Sequence, residues 1–357
     1  MDTLKVSAPG RICLFGEHQD YFGLPVIAAA INLRINISGQ KRDDPYFRVD
    51  LPDIQETDRF SLTQDLTYRK DRDYIRSVVN VLRRNNVPFS SGWDCTVRGD
   101  IPINSGTSSS SALVVAWTRF LLEATENPKA RSPEAIAEFA FQAEVAEFKE
   151  PGGKMDHYAS ALGGIVDIHF EDRLKVTKFK NPLKEFVLAD SLIRKNTTGT
   201  LGFIKSHVLR GVSEIRSEIK NFSLQDTIGD KEKDKIEGLP RDVRRLLKGT
   251  LLTRDITSEG ESLFRADSFD HKRFGQLLTS QHEVLRDCLH VSAPKLEKMI
   301  EMALKEGALG AKINGSGEGG CIFAYTPHHA VRVAEALKKL DTKVAIIRID
   351  EGVRLQV

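Results

Sequence analysis

An α+β fold follows from three features of the sequence. Short runs in which every second residue is apolar, such as Arg11-Ile-Cys-Leu-Phe15 and Trp93-Asp-Cys-Thr-Val-Arg98, lie near glycine and proline and read as strands. Longer runs with apolar residues three and four apart, such as 73–84, read as helices. A serine-rich stretch, Ile101-Pro-Ile-Asn-Ser-Gly-Thr-Ser-Ser-Ser-Ser111, opens directly into an almost wholly apolar helix pattern, Ala112-Leu-Val-Val-Ala-Trp-Thr-Arg-Phe-Leu-Leu122. At 357 residues the chain is long enough for two lobes or one large domain.

Composition narrows the class. Hydrophobic content of 40% and charged content of 29% describe an ordinary globular protein. The formal charge is +2, and Lys and Arg are scattered, so neither nucleic acid nor an anionic membrane is expected as a partner. Cys13, Cys95, Cys288 and Cys321 form no CxxC pair, which suits reduced thiols better than a disulfide framework or a zinc site. The opening Met1-Asp-Thr-Leu-Lys-Val has no signal-peptide pattern, and no apolar run approaches spanning length. A soluble, cytoplasmic protein is the expectation.

In chain order, Leu4-Lys-Val-Ser7 reads as a strand, Ala8-Pro-Gly10 as a turn, and Arg11–Phe15 as a second strand. Gly16-Glu-His-Gln-Asp-Tyr-Phe-Gly23 places polar groups between two glycines, the pattern of an exposed, tightly turned loop. Its plainer explanation is a solvated turn in which Asp20 caps its own backbone. Pro25–Ile31 returns to apolar packing, and 44–70 is loosely strand-like, with Phe47–Leu51 clearest. Residues 73–84 are an amphipathic helix, and 93–98 a strand feeding the serine stretch. Successive N–H groups in such a turn, at the positive end of a helix, form a concavity for anions, and the hydroxyls of Ser108–Ser111 suit phosphate or a metal. A Ser-rich linker is the alternative, but a linker seldom runs straight into a buried-helix pattern.

Ser132-Pro-Glu134 starts another helix, with serine at the cap and proline in the first turn, running to about Phe148. Glu144 on its mostly apolar surface is a candidate buried carboxylate, which needs a partner or a metal; an exposed face is the alternative. Glu150-Pro-Gly-Gly-Lys-Met-Asp-His157 is a glycine-rich turn entering a short helix, with Asp156 where an N-cap would stand. Residues 165–193 read as strands and 203–249 as charged helices, with Asp230–Lys235 an exposed, mobile face; 274–304 spans a helical pair. Gly310-Ala-Lys-Ile-Asn-Gly-Ser-Gly-Glu-Gly-Gly-Cys321 sets five glycines between two strands, which suits a hairpin or a backbone wall against a ligand. A dinucleotide fingerprint is excluded there because no helix follows the glycines.

Three segments in this order resemble the GHMP kinase superfamily: Ala8-Pro-Gly-Arg11 with Gly16-Glu-His18, the Pro102…Gly106-Thr-Ser-Ser-Ser110 loop, and Gly310-Ala-Lys…Gly315-Ser-Gly-Glu-Gly-Gly-Cys321. Within it, Gly16-Glu-His-Gln-Asp-Tyr21, Lys154-Met-Asp-His157 and Ser280-Gln-His-Glu-Val-Leu-Arg-Asp287 resemble the galactokinase branch. The resemblance implies two α+β lobes, a ribosomal-protein-S5-like one over 1–180 carrying the ATP and sugar motifs and a ferredoxin-like one over 181–357. It implies ATP and Mg²⁺ as cofactors, a small sugar as partner, and a monomer or homodimer.

By the same similarity, Asp156 would accept the proton of the sugar hydroxyl and Arg11 would hold its charge. Ser105, Gly106, Thr107, Ser108, Ser109 and Ser110 would cradle the ATP phosphates, and Ser110 with Glu144 would bind Mg²⁺. Glu17, His18 and Asp20 would hold sugar hydroxyls, with Gly153, Gly315 and Gly317 adding backbone contact. These residue types suit phosphoryl transfer, which needs positioning and charge neutralisation above all. The expected reaction is γ-phosphoryl transfer to the anomeric hydroxyl of galactose or a related aldose. The rivals are another acceptor (a phosphorylated or acidic sugar, a heptose derivative, mevalonate) or a catalytically silent sugar and ATP sensor. A serine hydrolase is poor, since no Gly-x-Ser-x-Gly elbow occurs. The chain departs from the pattern at Thr107, where leucine is usual, at Lys154, a cation that would meet an acidic or phosphorylated sugar or else solvent, and at Phe203, where a sugar-binding tyrosine is expected.

Overall fold

The computed structural model describes residues 2–62, 66–170, 174–195 and 197–356, so parts of the 44–70 and 165–193 stretches lie outside the described residues. The first half contains β1 (Thr3–Phe15), β2 (Val26–Lys41), β3 (Tyr46–Leu51), β4 (Glu56–Ser61), α1 (Tyr74–Arg84), β5 (Trp93–Gly99), α2 (Ser109–Ala124), α3 (Pro133–Phe141), α4 (Met155–Leu162), β6 (Ile165–Phe170) and β7 (Leu174–Phe179). The second contains β8 (Phe186–Asp190), α5 (Thr197–Arg216), α6 (Asp230–Gly238), α7 (Arg241–Arg265), α8 (His271–Asp287), α9 (Pro294–Lys305), β9 (Gly310–Ile313), β10 (Cys321–Tyr325), α10 (Ala330–Lys338), β11 (Lys343–Ile347) and β12 (Arg354–Leu355). No described helix is long and apolar enough to cross a membrane.

An eight-stranded sheet has the order β12-β1-β2-β5-β3-β4, with β6 also paired to β2 and β7 to β6; a four-stranded antiparallel sheet has the order β11-β8-β10-β9. β2 serves two neighbours on one edge: Val26–Ala29 pair with β6 and Ile35–Lys41 with β5. Its start is apolar at every position because both faces are buried. Val26 and Ala28 face a core shared with α1–α4, whereas Ile27, Ala29 and Ile31 join Ile12, Leu14 and Phe15 against Phe186, Leu188 and Phe323 of the second sheet. That interior layer joins the two halves.

The turn expected at Ala8–Gly10 does not form. β1 runs through it, and a register shift between Pro9 and Arg11 absorbs the proline, as a bulge allows. Gly10 is needed for close approach: a Cβ there would sit 2.8 Å from the Thr107 carbonyl. The Ser132 hydroxyl accepts from Ala135 N at 3.1 Å as expected, but α3 ends at Phe141 and widens into a π-type turn, Gln142–Ala146, that carries Glu144. The Gly310–Tyr325 stretch is a hairpin of β9 and β10.

Residues 349–355 return to the first sheet. Ile349 bridges to Ile31, Glu351 to Gly163, and β12 pairs antiparallel with β1. Buried Arg34 donates to Asp350 Oδ2 at 2.7 Å and to the carbonyls of Glu351 and Gly352 at 3.0 and 2.7 Å.

Candidate active site

One cleft collects every residue given a role above except Thr107 and Gly317. Its centre is built by β1, the 101–108 loop and the first turn of α4. Asp156 lies in that first turn and does not cap the helix; Lys154 holds the cap position. Arg11 donates to both Asp156 oxygens, Nε at 2.7 Å and Nη2 at 2.8 Å, and the Ser108 hydroxyl donates to Oδ2 at 2.6 Å. Burial pushes the Asp156 carboxyl up, but the charge and hydrogen bonds of Arg11 and then Ser108 outweigh it and hold the group below its ordinary range. Arg11 Nη1 donates to the Gly106 carbonyl at 2.5 Å, tying the loop to the carboxylate.

The 101–108 loop has the expected concave form. Gly106 (φ +90) and Ser108 (φ +58) take left-handed conformations, the second uncommon for a residue with a side chain. Ser108 spends its hydroxyl on Asp156, so α2 has no side-chain cap, and its first-turn N–H groups are left for an anion. The β9–β10 hairpin braces this loop: Asn314 Nδ2 donates to Gly106 O at 2.8 Å and Cys321 N to Ser105 O at 2.7 Å. Gly315 lines the cleft, but Gly317 packs on Val291, where a Cβ would meet the carbonyl at 2.4 Å. Thr107 also turns away: its Oγ1 meets Ser105 Oγ at 2.9 Å and its carbonyl accepts from Arg11 N.

The Gly16–Gly23 loop is largely buried rather than solvated. Glu17 forms an ion pair with fully buried Lys312, leaving Glu17 Oε2 buried without a partner among the described residues. His18 (φ +61) lies between the Tyr21 hydroxyl, 3.1 Å from Nδ1, and Ser316 O, 3.2 Å from Nε2; burial and then the charge of Lys195 push it down to about 3, so it is neutral. Asp20 accepts from Tyr21 N at 2.9 Å and Met155 N at 3.3 Å, and burial and then the Asp156 charge push it up to about 6. Gly153 makes room for it: a Cβ there would lie 2.0 Å from Asp20 Oδ2.

Glu144 is 6% exposed and borders the cleft with Ser109 and Ser110. His157 Nε2 lies 2.7 Å from Glu144 Oε2. A carboxylate and hydroxyls facing a phosphate-sized concavity make an all-oxygen donor set that fits Mg²⁺, which completes its shell with water and phosphate oxygens.

Two departures resolve plainly. Lys154 pairs with Glu138 at 2.8 Å and sits over the Phe141 ring, outside the cleft lining. Phe203 is 49% exposed and packs at a tilt against His207; Tyr21 and Tyr74 are the aromatic residues that line the cleft. The sequence reading missed Lys195, which lines the cleft beside Gly106 and donates to Asn314 O at 3.5 Å; burial and then Arg11 push it down to about 8. It also missed Asn314 and Lys312. Only the glycine-flanked Ala311-Lys-Ile-Asn314 run hinted at either.

Three family models match parts of this chain. Residues 73–164 match the GHMP kinases N terminal domain, 262–342 the GHMP kinases C terminal domain, and 2–41 the galactokinase galactose-binding signature. A galactokinase of Pasteurella multocida is 29% identical over 353 residues, covering 95% of this chain and 88% of the relative. One of Haemophilus influenzae is 28% identical, covering 93% and 87%. The Lactococcus lactis galactokinase complexed with galactose superposes with a TM-score of 0.85 at 19% identity, covering 99% of this chain and 95% of that one. Methanococcus jannaschii mevalonate kinase does so at 0.75, also at 19% identity, covering 97% and 98%.

Proposed function

The chain belongs to the GHMP kinase superfamily, and on that premise we propose that it transfers the γ-phosphoryl group of ATP to the anomeric hydroxyl of galactose or a close aldose. The observation that carries this reading is the Arg11–Asp156–Ser108 unit, which fastens a half-buried carboxylate to the phosphate loop within reach of the Glu17–Asp20 loop.

Asp156 is held ionised and is therefore a weak base before transfer begins. It orients the hydroxyl by accepting its hydrogen bond, and takes the proton as the oxygen bonds to phosphorus and the bond to the leaving ADP oxygen breaks. Such proton transfer contributes on the order of 10²- to 10⁴-fold. Three of the guanidinium donors of Arg11 are engaged, which leaves two N–H groups for the oxygens of the transferred group. Lys195 adds a second cation beside the loop. Mg²⁺ would be held by Glu144 and Ser110 and would neutralise phosphate charge. The unpartnered Glu17 Oε2 and the Asp20 carboxylate supply acceptors for sugar hydroxyls, with His18 lining the cleft beside them. A second cavity of about 520 Å³ shares Arg72 and Tyr74 with the cleft and has apolar walls at Leu51, Ile54, Ile75 and Leu113, room suited to the nucleoside. The two lobes proposed, 1–180 and 181–357, follow the two sheets, with 349–355 crossing back.

The test is a coupled ADP-release screen over galactose, other aldoses, sugar phosphates, uronic acids and mevalonate. Galactose should be turned over best, and Asp156→Asn should abolish turnover while retaining nucleotide binding. Turnover only with a different acceptor would replace galactose and leave the kinase; binding of sugar and ATP with no ADP released by the wild type would make the chain a sensor.

A further inference from the structure

Away from the cleft, two residues of β6 meet two of α7. Asp167 and His169 are two apart on a strand, and Glu261 and Arg265 four apart on a helix, so each pair shares a face. His169 Nε2 lies 3.2 Å from Asp167 Oδ2 and 3.7 Å from Glu261 Oε2, and one donor atom from each of the three residues falls within 4.8 Å of the others. Asp167 is fully buried, yet its Oδ1 has no partner among the described residues. A buried carboxylate with an unsatisfied oxygen is costly, and the deficit points to a missing cation.

Arg265 meets part of that need. Its Nη2 lies 2.8 Å from Glu261 Oε1 and 3.3 Å from Asp167 Oδ2, but the side chain is 50% exposed and one guanidinium faces two carboxylates. His169 and Glu261 also border a cavity of about 360 Å³, which gives a path from solvent.

We propose that Asp167, His169 and Glu261 form a site for a divalent transition metal of the zinc class, entered as Arg265 swings aside. One imidazole nitrogen and two carboxylate oxygens, with water in the fourth position, are a donor set for zinc; magnesium prefers oxygen alone. The ligands come from a strand of the first sheet and a helix of the second half, so the ion ties the halves together behind the Gly23–Pro25 segment that borders the same cavity.

Zinc titration of the full chain against a chromophoric chelator, with thermal melts in parallel, tests this site separately from catalysis. Zinc held elsewhere, by exposed histidines or Cys288, adds the same background to every variant, so the comparison among variants decides. His169→Ala should lose one equivalent of bound zinc and the zinc-dependent rise in Tm. Arg265→Ala should bind zinc at least about tenfold tighter, since a competing cation is gone. His169→Gln repeats the first comparison should the alanine variant not fold. Equal zinc binding by the wild type and the His169 variants, or no tightening in Arg265→Ala, would overturn the proposal and leave an ion-pair cluster.

Discussion

Gly153→Ala should damage the acceptor site through a single added methyl group. The backbone at Gly153 is not in the left-handed region, so alanine fits the main chain, and the whole effect comes from the side chain. Its Cβ would lie 2.0, 2.2 and 2.7 Å from the Oδ2, Cγ and Oδ1 atoms of Asp20. Relief to an ordinary contact of about 3.4 Å requires the carboxylate to retreat by roughly 1.4 Å, because real Cβ atoms essentially never approach closer than 3.0 Å. Asp20 cannot move that far and keep its bonds from Tyr21 N and Met155 N. Misplacement of a positioning group by an ångström costs on the order of 10²-fold, so kcat/KM for the sugar should fall by about that factor, near 3 kcal/mol. The KM for ATP should hold. Steady-state ADP release measures the first effect. The clash should also lower the Tm of Gly153→Ala, and this loss should shrink in the Gly153→Ala/Asp20→Ala double variant relative to Asp20→Ala, because removing the carboxylate opens the space. Wild-type kcat/KM in Gly153→Ala, or a Tm loss that persists undiminished in the Asp20→Ala background, would refute this account of the contact.

Lys312→Met should destabilise the fold by about 3–5 kcal/mol in chemical denaturation, because Glu17 would be left buried and unpaired, and adding Glu17→Gln should recover much of it. Asp20, raised from 3.8 to about 6, binds its proton more tightly in the fold than in the unfolded chain; its contribution of about 3 kcal/mol is full below pH 3.8 and is lost as pH rises through 6. Unfolding free energies of the wild type should therefore fall relative to Asp20→Asn across that window, and parallel curves would contradict it. Lys195→Met should lower kcat by about 10²-fold or more with no loss of Tm, since a half-buried cation with one long hydrogen bond adds little to stability; an unchanged kcat would remove Lys195 from the site.

Local chemistry made much of this molecule legible. The 101–111 run and the Gly310–Cys321 hairpin announce themselves through glycine, serine and the strand or helix that follows, and these became the loop and its brace. The alternation of β5, the short apolar runs of β6 and β8 and the Ser132 cap were equally readable. Long-range pairing was not. Nothing near Lys312 in sequence reveals that Glu17, 295 residues away, will face it, nor that Lys195 will settle beside Gly106. Asp156 looked like a cap because a carboxylate at a helix start is commonly one; Arg11, 145 residues away, claims it instead. Ala8-Pro-Gly10 misled because proline and glycine ordinarily signal a turn, whereas here they mark a bulge pressed against the phosphate loop.

The return of residues 349–355 to the first sheet bears on synthesis at the ribosome. Arg34 is made early and finds its carboxylate and two of its carbonyl partners only in Asp350–Gly352. The edge of β1 that β12 covers stays open over the same interval. The amino-terminal sheet therefore waits, with the Arg34 cation unanswered and an edge bare, until residues 349–355 are made and can fold back onto it.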